Sequence, residues 1–145
     1  MNCDVAIVGG GIAGASLAYR LAPHCTVILL EGETQSGYHS TGRSAAALSE
    51  VLGTPAVRAL TRYGRVFLEN PPEGFATAPL TRRRAWLFIG RADQRADFDA
   101  LLAEAAGGMD PLDPAEAECL FPILRPGYTA HAALEPDACD LDVDA

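Results

Sequence analysis

The most chemically informative residues are the glycines of Gly9–Gly14, whose spacing satisfies the pattern Gly-x-Gly-x-x-Gly. In such a loop Gly9 allows a tight turn out of a strand, and Gly11, which lacks a Cβ atom, lets a pyrophosphate approach the backbone. Gly14 lets the following helix pack closely against the strand. The free N–H groups at the start of that helix, aided by its dipole, favour a bound phosphate. The loop therefore predicts a site for the phosphates of a dinucleotide.

Glu31 supplies the second part of the pattern, because it ends the second apolar run of the chain. A carboxylate at this place accepts hydrogen bonds from the hydroxyl groups of an adenosine ribose and repels a 2′-phosphate, which disfavours NADP. The alternative is a glycine-rich turn that only joins a strand to a helix, and the combination of strand, helix and Glu31 argues against it. The loop and Glu31 together leave FAD and NAD both open.

Three predicted elements position these residues. Cys3–Val8 is a short apolar run that suits a strand buried on both faces of a parallel sheet. Ile12–Leu21 has apolar residues spaced for a helix that faces a sheet, and Pro23 stops it. Thr26–Leu30 is a second β-branched, apolar run. This order predicts one βαβ unit, with the glycine loop between its first strand and its helix.

The remainder of the chain is predicted to mix helices and strands. Gly32–Gly42 is polar and contains glycine, which indicates a loop, and the alanine-rich Arg43–Leu52 is predicted to be helical. Thr54 is predicted to cap the next helix, which has proline at its first position. The other predicted helices are Pro55–Glu69, Asp93–Ala106 and Asp113–Leu120, and the other predicted strands are Ala85–Ile89 and Tyr128–Leu134.

The composition is that of an ordinary globular protein. The chain has 145 residues, of which 49% are hydrophobic and 21% are charged, and this is enough for a domain with a sizeable core. Its net charge of −8 would repel the backbone of a nucleic acid, which argues against such a partner. No apolar run reaches the ~20 residues that span a bilayer, and the start of the chain lacks the basic residues of a signal peptide. We therefore expect a soluble, cytoplasmic protein.

The four cysteines do not predict a metal site. Cys3, Cys25, Cys119 and Cys139 show neither the Cys-x-x-Cys spacing of zinc ligands nor the density of a disulfide scaffold. We expect them to be reduced and mostly buried thiols.

The loop after Glu31 resembles a segment of a known enzyme family. Gly37–Ala46 reads Gly-Tyr-His-Ser-Thr-Gly-Arg-Ser-Ala-Ala and is similar to a segment of the FAD-dependent D-amino acid dehydrogenases and oxidases, the superfamily of glycine oxidase, sarcosine oxidase and D-amino acid oxidase. Ala13–Ser16, Gly53–Thr61 and Asn70–Phe75 resemble further segments of this family, and the D-arginine dehydrogenase type looks nearest. The resemblance extends over nearly the whole chain.

The resemblance implies a flavoprotein oxidoreductase with FAD as its cofactor and a D-amino acid or related amine as its small-molecule substrate, which would be oxidised to an imine. In this family the flavin accepts hydride from the amine carbon and the protein supplies orientation and electrostatics, so no residue is nominated as a catalytic acid or base. The electron acceptor stays open. The predicted cofactor-binding residues are Gly9, Gly11, Ala13, Gly14, Glu31, Ser40, Thr41, Ser44, Ala45 and Ala46.

The fold class expected from the motif and the resemblance is α/β, with a Rossmann-like FAD-binding βαβ unit followed by part of a mixed α+β substrate domain. Only one βαβ unit is visible, so we expect the chain to be the N-terminal portion of a larger enzyme. Residues 1–80 are predicted to belong to the FAD-binding domain, residues 81–136 to the substrate domain, and residues 137–145 to the start of the return to the FAD-binding domain.

Three apolar residues are predicted to line the substrate pocket. Ala47, Leu52 and Trp86 stand where the arginine-using relatives have polar or acidic pocket residues. An apolar lining cannot pair a guanidinium, and burial of an unpaired cation is costly, so arginine specificity is not expected. Two alternatives remain at this stage: another FAD- or NAD-dependent oxidoreductase, and a non-catalytic cofactor-binding fragment.

Overall fold

The structure is a computed structural model that describes residues 2–143. The chain divides into two compact units, of which the first ends at Ala46 and the second runs from Ala47 to Val143. Asp144 and Ala145, the end of the acidic segment predicted to return to the FAD-binding domain, lie outside the described residues.

The first unit is the predicted βαβ unit. Strand β1 is Val5–Val8, helix α1 is Ile12–Leu21 and strand β2 is Val27–Leu30. The strands are parallel, with Val5 opposite Val27 and Val8 opposite Leu30. The predicted bounds of α1 are confirmed, and both strands are found, each beginning slightly later than predicted. The glycine loop therefore lies between β1 and α1, as a dinucleotide-binding loop requires.

The two strands of this unit are not buried on both faces as predicted. Ile7 is buried, whereas Val8 is 85% exposed and Leu30 is 51% exposed. One helix can cover only one face of this two-stranded sheet. The apolar composition of β1 and β2 is instead typical of a sheet whose two faces are both covered.

The prediction of a helix over Arg43–Leu52 is wrong. Ala46 has a left-handed backbone with φ 48°, and Ala47–Leu48 forms a short strand, β3. Leu48 and Val51 are buried. Strand pairing and burial outweigh the helix propensity of alanine here, because propensity amounts to only a few tenths of a kcal/mol per residue.

Three helices belong to the second unit. Helix α2 has the predicted bounds, and the Thr54 hydroxyl accepts the N–H of Val57 as its cap. A short 3₁₀ turn, Ala92–Gln94, precedes α3, and Asp113 and Glu116 form a reciprocal capping box at the start of α4. The helices are α2 (Pro55–Glu69), α3 (Arg95–Ala105) and α4 (Pro114–Leu120).

Two antiparallel sheets complete the second unit. The remaining strands are β4 (Thr81–Arg83), β5 (Trp86–Gly90), β6 (Asp110–Leu112), β7 (His131–Glu135) and β8 (Cys139–Leu141). Their order is β3-β8-β4 in one sheet and β5-β7-β6 in the other. The core packs Phe98, Ala105 and Met109 against Val51 and Ala133. Strands β5 and β7 correspond to the two predicted strands, and the short β3, β4, β6 and β8 were not predicted.

The cysteines are free thiols, but two of them are not buried. Cys139 is buried and Cys25 is half-buried, whereas Cys3 and Cys119 are exposed. Cys119 lies on α4 two residues after the buried Ala117, and two residues correspond to about 200° around a helix, which turns Cys119 to solvent. No helix within residues 2–143 is long and apolar enough to span a membrane.

Candidate cofactor site

The glycine loop has the backbone geometry that its sequence predicts. Gly9 has φ 101°, a conformation that other residues rarely adopt, and its N–H donates to the carbonyl of Leu30 at 2.7 Å. A Cβ atom on Gly14 would clash with the carbonyl oxygen of Gly9, and a Cβ atom on Gly11 would lie 3.0 Å from Thr41 Oγ1. The first and last glycines are thus needed for the fold of the loop itself, and Gly11 keeps the start of α1 open.

The start of α1 presents two backbone donors that no described residue accepts. The Ile12 N–H donates to Thr41 Oγ1 at 3.0 Å. The N–H groups of Ala13 and Gly14 have no acceptor among the described residues, as expected for the first turn of a helix. The positive end of the helix dipole is at the same place, so the geometry suits an anionic group such as a pyrophosphate.

Glu31 is anchored by the loop that it is predicted to serve. Its carboxylate accepts the N–H groups of Gly10 at 2.6 Å, Gly32 at 2.7 Å and Glu33 at 3.0 Å. The hydrogen bond from Glu33, followed by those from Gly10 and Gly32, lowers the pKa of Glu31 below its usual value of 4.5. The side chain is exposed, and within residues 2–143 its Oε2 accepts only the Gly10 N–H. A charged oxygen therefore remains free to accept a ribose hydroxyl.

Gly10 is a further residue of the candidate site, and the sequence patterns did not single it out. It occupies a variable position of the glycine pattern, yet its N–H ties the loop to Glu31. A Cβ atom at Gly10 would lie 3.0 Å from Glu31 Oε2 and 3.1 Å from Ser36 Oγ. The available signal in the sequence was the run of three consecutive glycines, of which Gly10 is the middle one.

The loop that follows β2 contributes Thr41 directly to this site. Ser44 Oγ donates to the carbonyl of Thr41 at 2.8 Å and accepts the Ala46 N–H at 3.2 Å. His39 Nε2 contacts Glu33 Oε1 at 2.7 Å. Ser40 and Ala45 are exposed. The structure thus joins Thr41 to the glycine loop, Ser44 to Thr41 and Ala46 to Ser44. No described contact joins Ser40 or Ala45 to the glycine loop.

The three predicted pocket residues all lie in the second unit. Trp86, at the start of β5, lines a cavity of about 340 Å³ together with six other residues. Ala47 and Leu52 do not line that cavity: Ala47 is half-buried in β3 and Leu52 is 39% exposed. The complete lining is Arg84, Ala85, Trp86, Leu87, Ile89, Phe121 and Leu124. Their role as a substrate pocket remains a prediction.

Comparison with known proteins decides the family. Residues 4–145 match the sequence model of a family described as DAO, FAD dependent oxidoreductase. The chain belongs to this family. The predicted resemblance is thereby confirmed, and the family's cofactor is FAD, which resolves the choice that the glycine loop left open. The free N–H groups at the start of α1 and the exposed carboxylate of Glu31 fit the ADP half of this cofactor.

Solved structures of FAD-dependent enzymes share the fold. An L-α-glycerophosphate oxidase from Mycoplasma pneumoniae, described with FAD bound, has a TM-score of 0.81 and 18% sequence identity over 99% of this chain. A glycine oxidase from Geobacillus kaustophilus has a TM-score of 0.78 and 20% identity over 96% of the chain. The chain spans 40% of the length of each of these proteins.

Two further similarities have higher sequence identity, one over nearly the whole chain and one over a short segment. An iminodiacetate oxidase from Chelativorans sp. BNC1 has 25% identity and a TM-score of 0.71, with 96% of this chain and 41% of that chain covered. An L-aspartate oxidase from Yersinia pestis is 48% identical over 50 residues, which are 32% of this chain and 9% of that protein. The predicted α/β fold class is confirmed, and the chain corresponds to only part of each of these proteins.

Proposed function

We propose that the first unit holds the ADP half of FAD in an enzyme that oxidises a D-amino acid or related amine to an imine. The observation that carries the cofactor part is the hydrogen bond between Gly10 and Glu31. It ties an exposed carboxylate to the glycine loop, which leads into the free N–H groups of Ala13 and Gly14. These donors would bind the pyrophosphate, and Glu31 would bind the adenosine ribose.

The loop from Ser40 to Ala46 would continue along the cofactor toward the flavin. Thr41 Oγ1 accepts the Ile12 N–H, so its own hydroxyl proton is free to donate to a phosphate oxygen. The small side chains of Ser44, Ala45 and Ala46 would allow a flat ring system to pass close to the backbone. These roles follow from the family resemblance, and the contact of Thr41 with α1 supports them.

The proposed chemistry is oxidation at a carbon that carries an amine. Bound FAD supplies the two-electron acceptor for this reaction. The chain itself would bind and orient: the glycine loop and Glu31 fix the cofactor, and Ala47, Leu52 and Trp86 surround the substrate side chain. Neighbours described as glycine oxidase and iminodiacetate oxidase support an amine substrate.

The proposal also includes the domain assignment and a cytoplasmic location. It assigns residues 1–80 to the FAD-binding domain, residues 81–136 to the substrate domain and residues 137–145 to the return segment.

Oxidation of an alcohol is the second candidate, because the L-α-glycerophosphate oxidase gives a TM-score of 0.81 with this chain. Flavin reduction distinguishes the two. The full-length protein is purified, its flavin is identified as FAD, and loss of flavin absorbance is followed without oxygen. Glycine, sarcosine and a series of D-amino acids are compared with glycerol 3-phosphate. We expect bleaching by at least one amine together with formation of the imine's hydrolysis product. Bleaching by glycerol 3-phosphate alone would show that the amine class is wrong, and a protein that binds no flavin would refute the cofactor assignment.

A further inference from the structure

Glu135 is a buried carboxylate that the proposed cofactor and substrate contacts do not use. It is the last residue of β7, and only 2% of it is exposed. One of its carboxylate oxygens accepts the hydroxyl of Ser49 at 2.7 Å, and the other accepts the N–H of Glu50 at 2.9 Å. Burial of a carboxylate is costly unless its hydrogen bonds are satisfied. Both bonds that satisfy this one go to the same short segment, which lies far away in sequence.

That segment lies between two of the predicted pocket residues. Ser49 and Glu50 follow Ala47 in the chain and precede Leu52. Val51, the remaining residue of the segment, is 3% exposed and packs in the core with Ala133 of β7. The segment is thus held against β7 by one apolar contact and by the two hydrogen bonds to Glu135.

The third predicted pocket residue is adjacent to Glu135 in the sheet. Trp86 of β5 is its direct partner in the antiparallel register. Directly opposed residues of neighbouring strands project from the same face of a sheet. Glu135 therefore has Trp86 beside it on the sheet and holds the Ala47–Leu52 segment by hydrogen bonds.

No arginine, lysine or histidine forms an ion pair with Glu135 among the described residues. Arg62 and Arg65 of α2 instead pair with the side chain of Glu50, at 3.2 Å and 2.9 Å. Glu50 is consequently fixed twice, by its N–H to Glu135 and by its carboxylate to α2. In the described part of the chain the Glu135 carboxylate accepts hydrogen bonds only from Ser49 and Glu50, so its loss would release this side of the segment selectively.

We propose that Glu135 is a positioning residue for substrate recognition: it fixes the backbone of Ser49–Val51 and thereby sets the placement of Ala47 and Leu52 relative to Trp86. The inference rests on the proposed function, because these three residues are the predicted substrate pocket. Glu135 itself is too deeply buried to contact a substrate. It acts through the segment to which it is bonded.

The test uses the full-length protein with Glu135→Met, Glu135→Gln and Ser49→Ala. Methionine keeps the approximate size of the side chain and removes both acceptors. Glutamine can accept from the Glu50 N–H and donate to Ser49 Oγ, so it is the rescue variant. We expect Glu135→Met to raise KM for the preferred amine by about tenfold, the effect of losing one to two buried hydrogen bonds. Its kcat and bound FAD should change by less than about twofold, because the cofactor contacts lie elsewhere.

Ser49→Ala should raise KM by a smaller factor, and the double variant should be no worse than Glu135→Met, since both changes act on one contact. Glutamine should restore KM to near the wild-type value. A purely structural role would lower the melting temperature without changing KM in the folded protein. An unchanged KM in a folded, FAD-loaded Glu135→Met protein would overturn the proposal. If the Glu135→Met protein does not fold, an unchanged KM in the Ser49→Ala protein would overturn the proposal instead.

Amide hydrogen exchange over residues 47–52 supplies a readout independent of activity. We expect exchange at Glu50 to be about tenfold faster in Glu135→Met than in the wild type, because one protecting hydrogen bond is lost. If no amine reduces the wild-type flavin, the proposed function fails. The exchange rates then still decide whether Glu135 fixes the Ser49–Val51 segment, and unchanged exchange in Glu135→Met would show that it does not.

Discussion

At the scale of single residues, Glu31 combines two tasks. Three backbone N–H groups hold its carboxylate in place, and the same hydrogen bonds keep its pKa below the usual value for glutamate, so it is charged at neutral pH. A fixed, charged and exposed acceptor binds a ribose without having to be ordered first. Gly10, one of the residues that fix it, belongs to the glycine loop, so the proposed ribose and phosphate contacts would be mechanically linked.

Replacement of Glu31 by alanine should weaken FAD binding. We expect the dissociation constant of FAD to rise by about 30-fold or more, because hydrogen bonds to a charged acceptor are lost and the Gly10 N–H is released. Flavin fluorescence titration of the full-length apoprotein measures the change. Glu33→Ala is the matched control, since the Glu33 carboxylate contacts His39 rather than the glycine loop. Equal affinities for Glu31→Ala and wild type would remove Glu31 from the site.

Gly14→Ala should disrupt the site by a different route. The added methyl group would collide with the carbonyl of Gly9, and relief of such a clash costs about 2 kcal/mol or more. We expect a lower melting temperature and loss of bound FAD. Gly32→Ala provides the comparison, because a Cβ atom there meets nothing within 4 Å. A Gly14→Ala protein as stable and as flavin-rich as Gly32→Ala would contradict the packing role of Gly14.

At the scale of elements, the bounds of α2 follow from its cap, but its packing does not follow from its apolar residues: some of these are exposed, and an arginine faces the rest of the second unit. Leu60 is 71% exposed and Tyr63 is 75% exposed, whereas Arg65 lies on the side of α2 that faces Glu50 and the rest of the second unit. Arg65 donates to Glu50, to Glu69 and to the carbonyl of Asp137 next to β8. Burial alone would lower the pKa of Arg65, but the hydrogen bonds that it donates to Glu69 and Glu50 outweigh burial and raise the pKa. This arginine thereby joins α2 to both the Ser49–Val51 segment and the β3-β8-β4 sheet.

Helix α2 also contains a glycine, Gly64, at a position where the structure has room for a side chain. A Cβ atom at Gly64 meets nothing within 4 Å, and glycine inside a helix is about 1 kcal/mol less favourable than alanine. Gly64→Ala should therefore raise the melting temperature by a few degrees. Gly53→Ala should lower it, because Gly53 has φ 87° and its Cβ atom would lie 2.9 Å from Val57. Thermal unfolding of both variants checks the pair, and a destabilised Gly64→Ala would show that this side of α2 is in close contact with another part of the full-length protein.

At the scale of the whole molecule, the predicted pocket residues bear on substrate choice. Ala47, Leu52 and Trp86 offer apolar surface, and each methylene of a substrate buried against such a surface contributes about 0.8 kcal/mol. A guanidinium would lose water there without gaining a partner. We therefore expect the full-length protein to prefer neutral D-amino acids over D-arginine in kcat/KM, measured with an artificial electron acceptor.

A substitution in the pocket sharpens this prediction. Leu52 is partly exposed, so Leu52→Glu adds a carboxylate without burying it fully. We expect this variant to raise kcat/KM for D-arginine relative to D-alanine, and we expect Leu60→Glu, on the exposed side of α2, to leave the ratio unchanged. A wild-type preference for D-arginine or D-lysine would refute the pocket assignment and would require an acidic partner elsewhere in the full-length protein.

The sequence by itself determined the features that depend on nearby residues. The βαβ unit could be predicted because Gly9, Gly11 and Gly14 permit backbone conformations and contacts that other residues forbid. The start of α2 could be predicted because Thr54 caps it over three residues, and that of α4 because Asp113 and Glu116 cap each other. Such interactions are complete within one turn of the chain, so their signal is readable from a short stretch of sequence.

Only the tertiary structure decided the features that join distant residues. The alanine-rich stretch after Arg43 became β3 because Ala47 pairs with Asp140, almost a hundred residues away. Glu135 likewise found its partners, Ser49 and Glu50, across the chain. Helix propensity and apolar spacing carry no information about such partners. The free energy of a strand pair or of a buried carboxylate depends on which groups the rest of the fold brings to it.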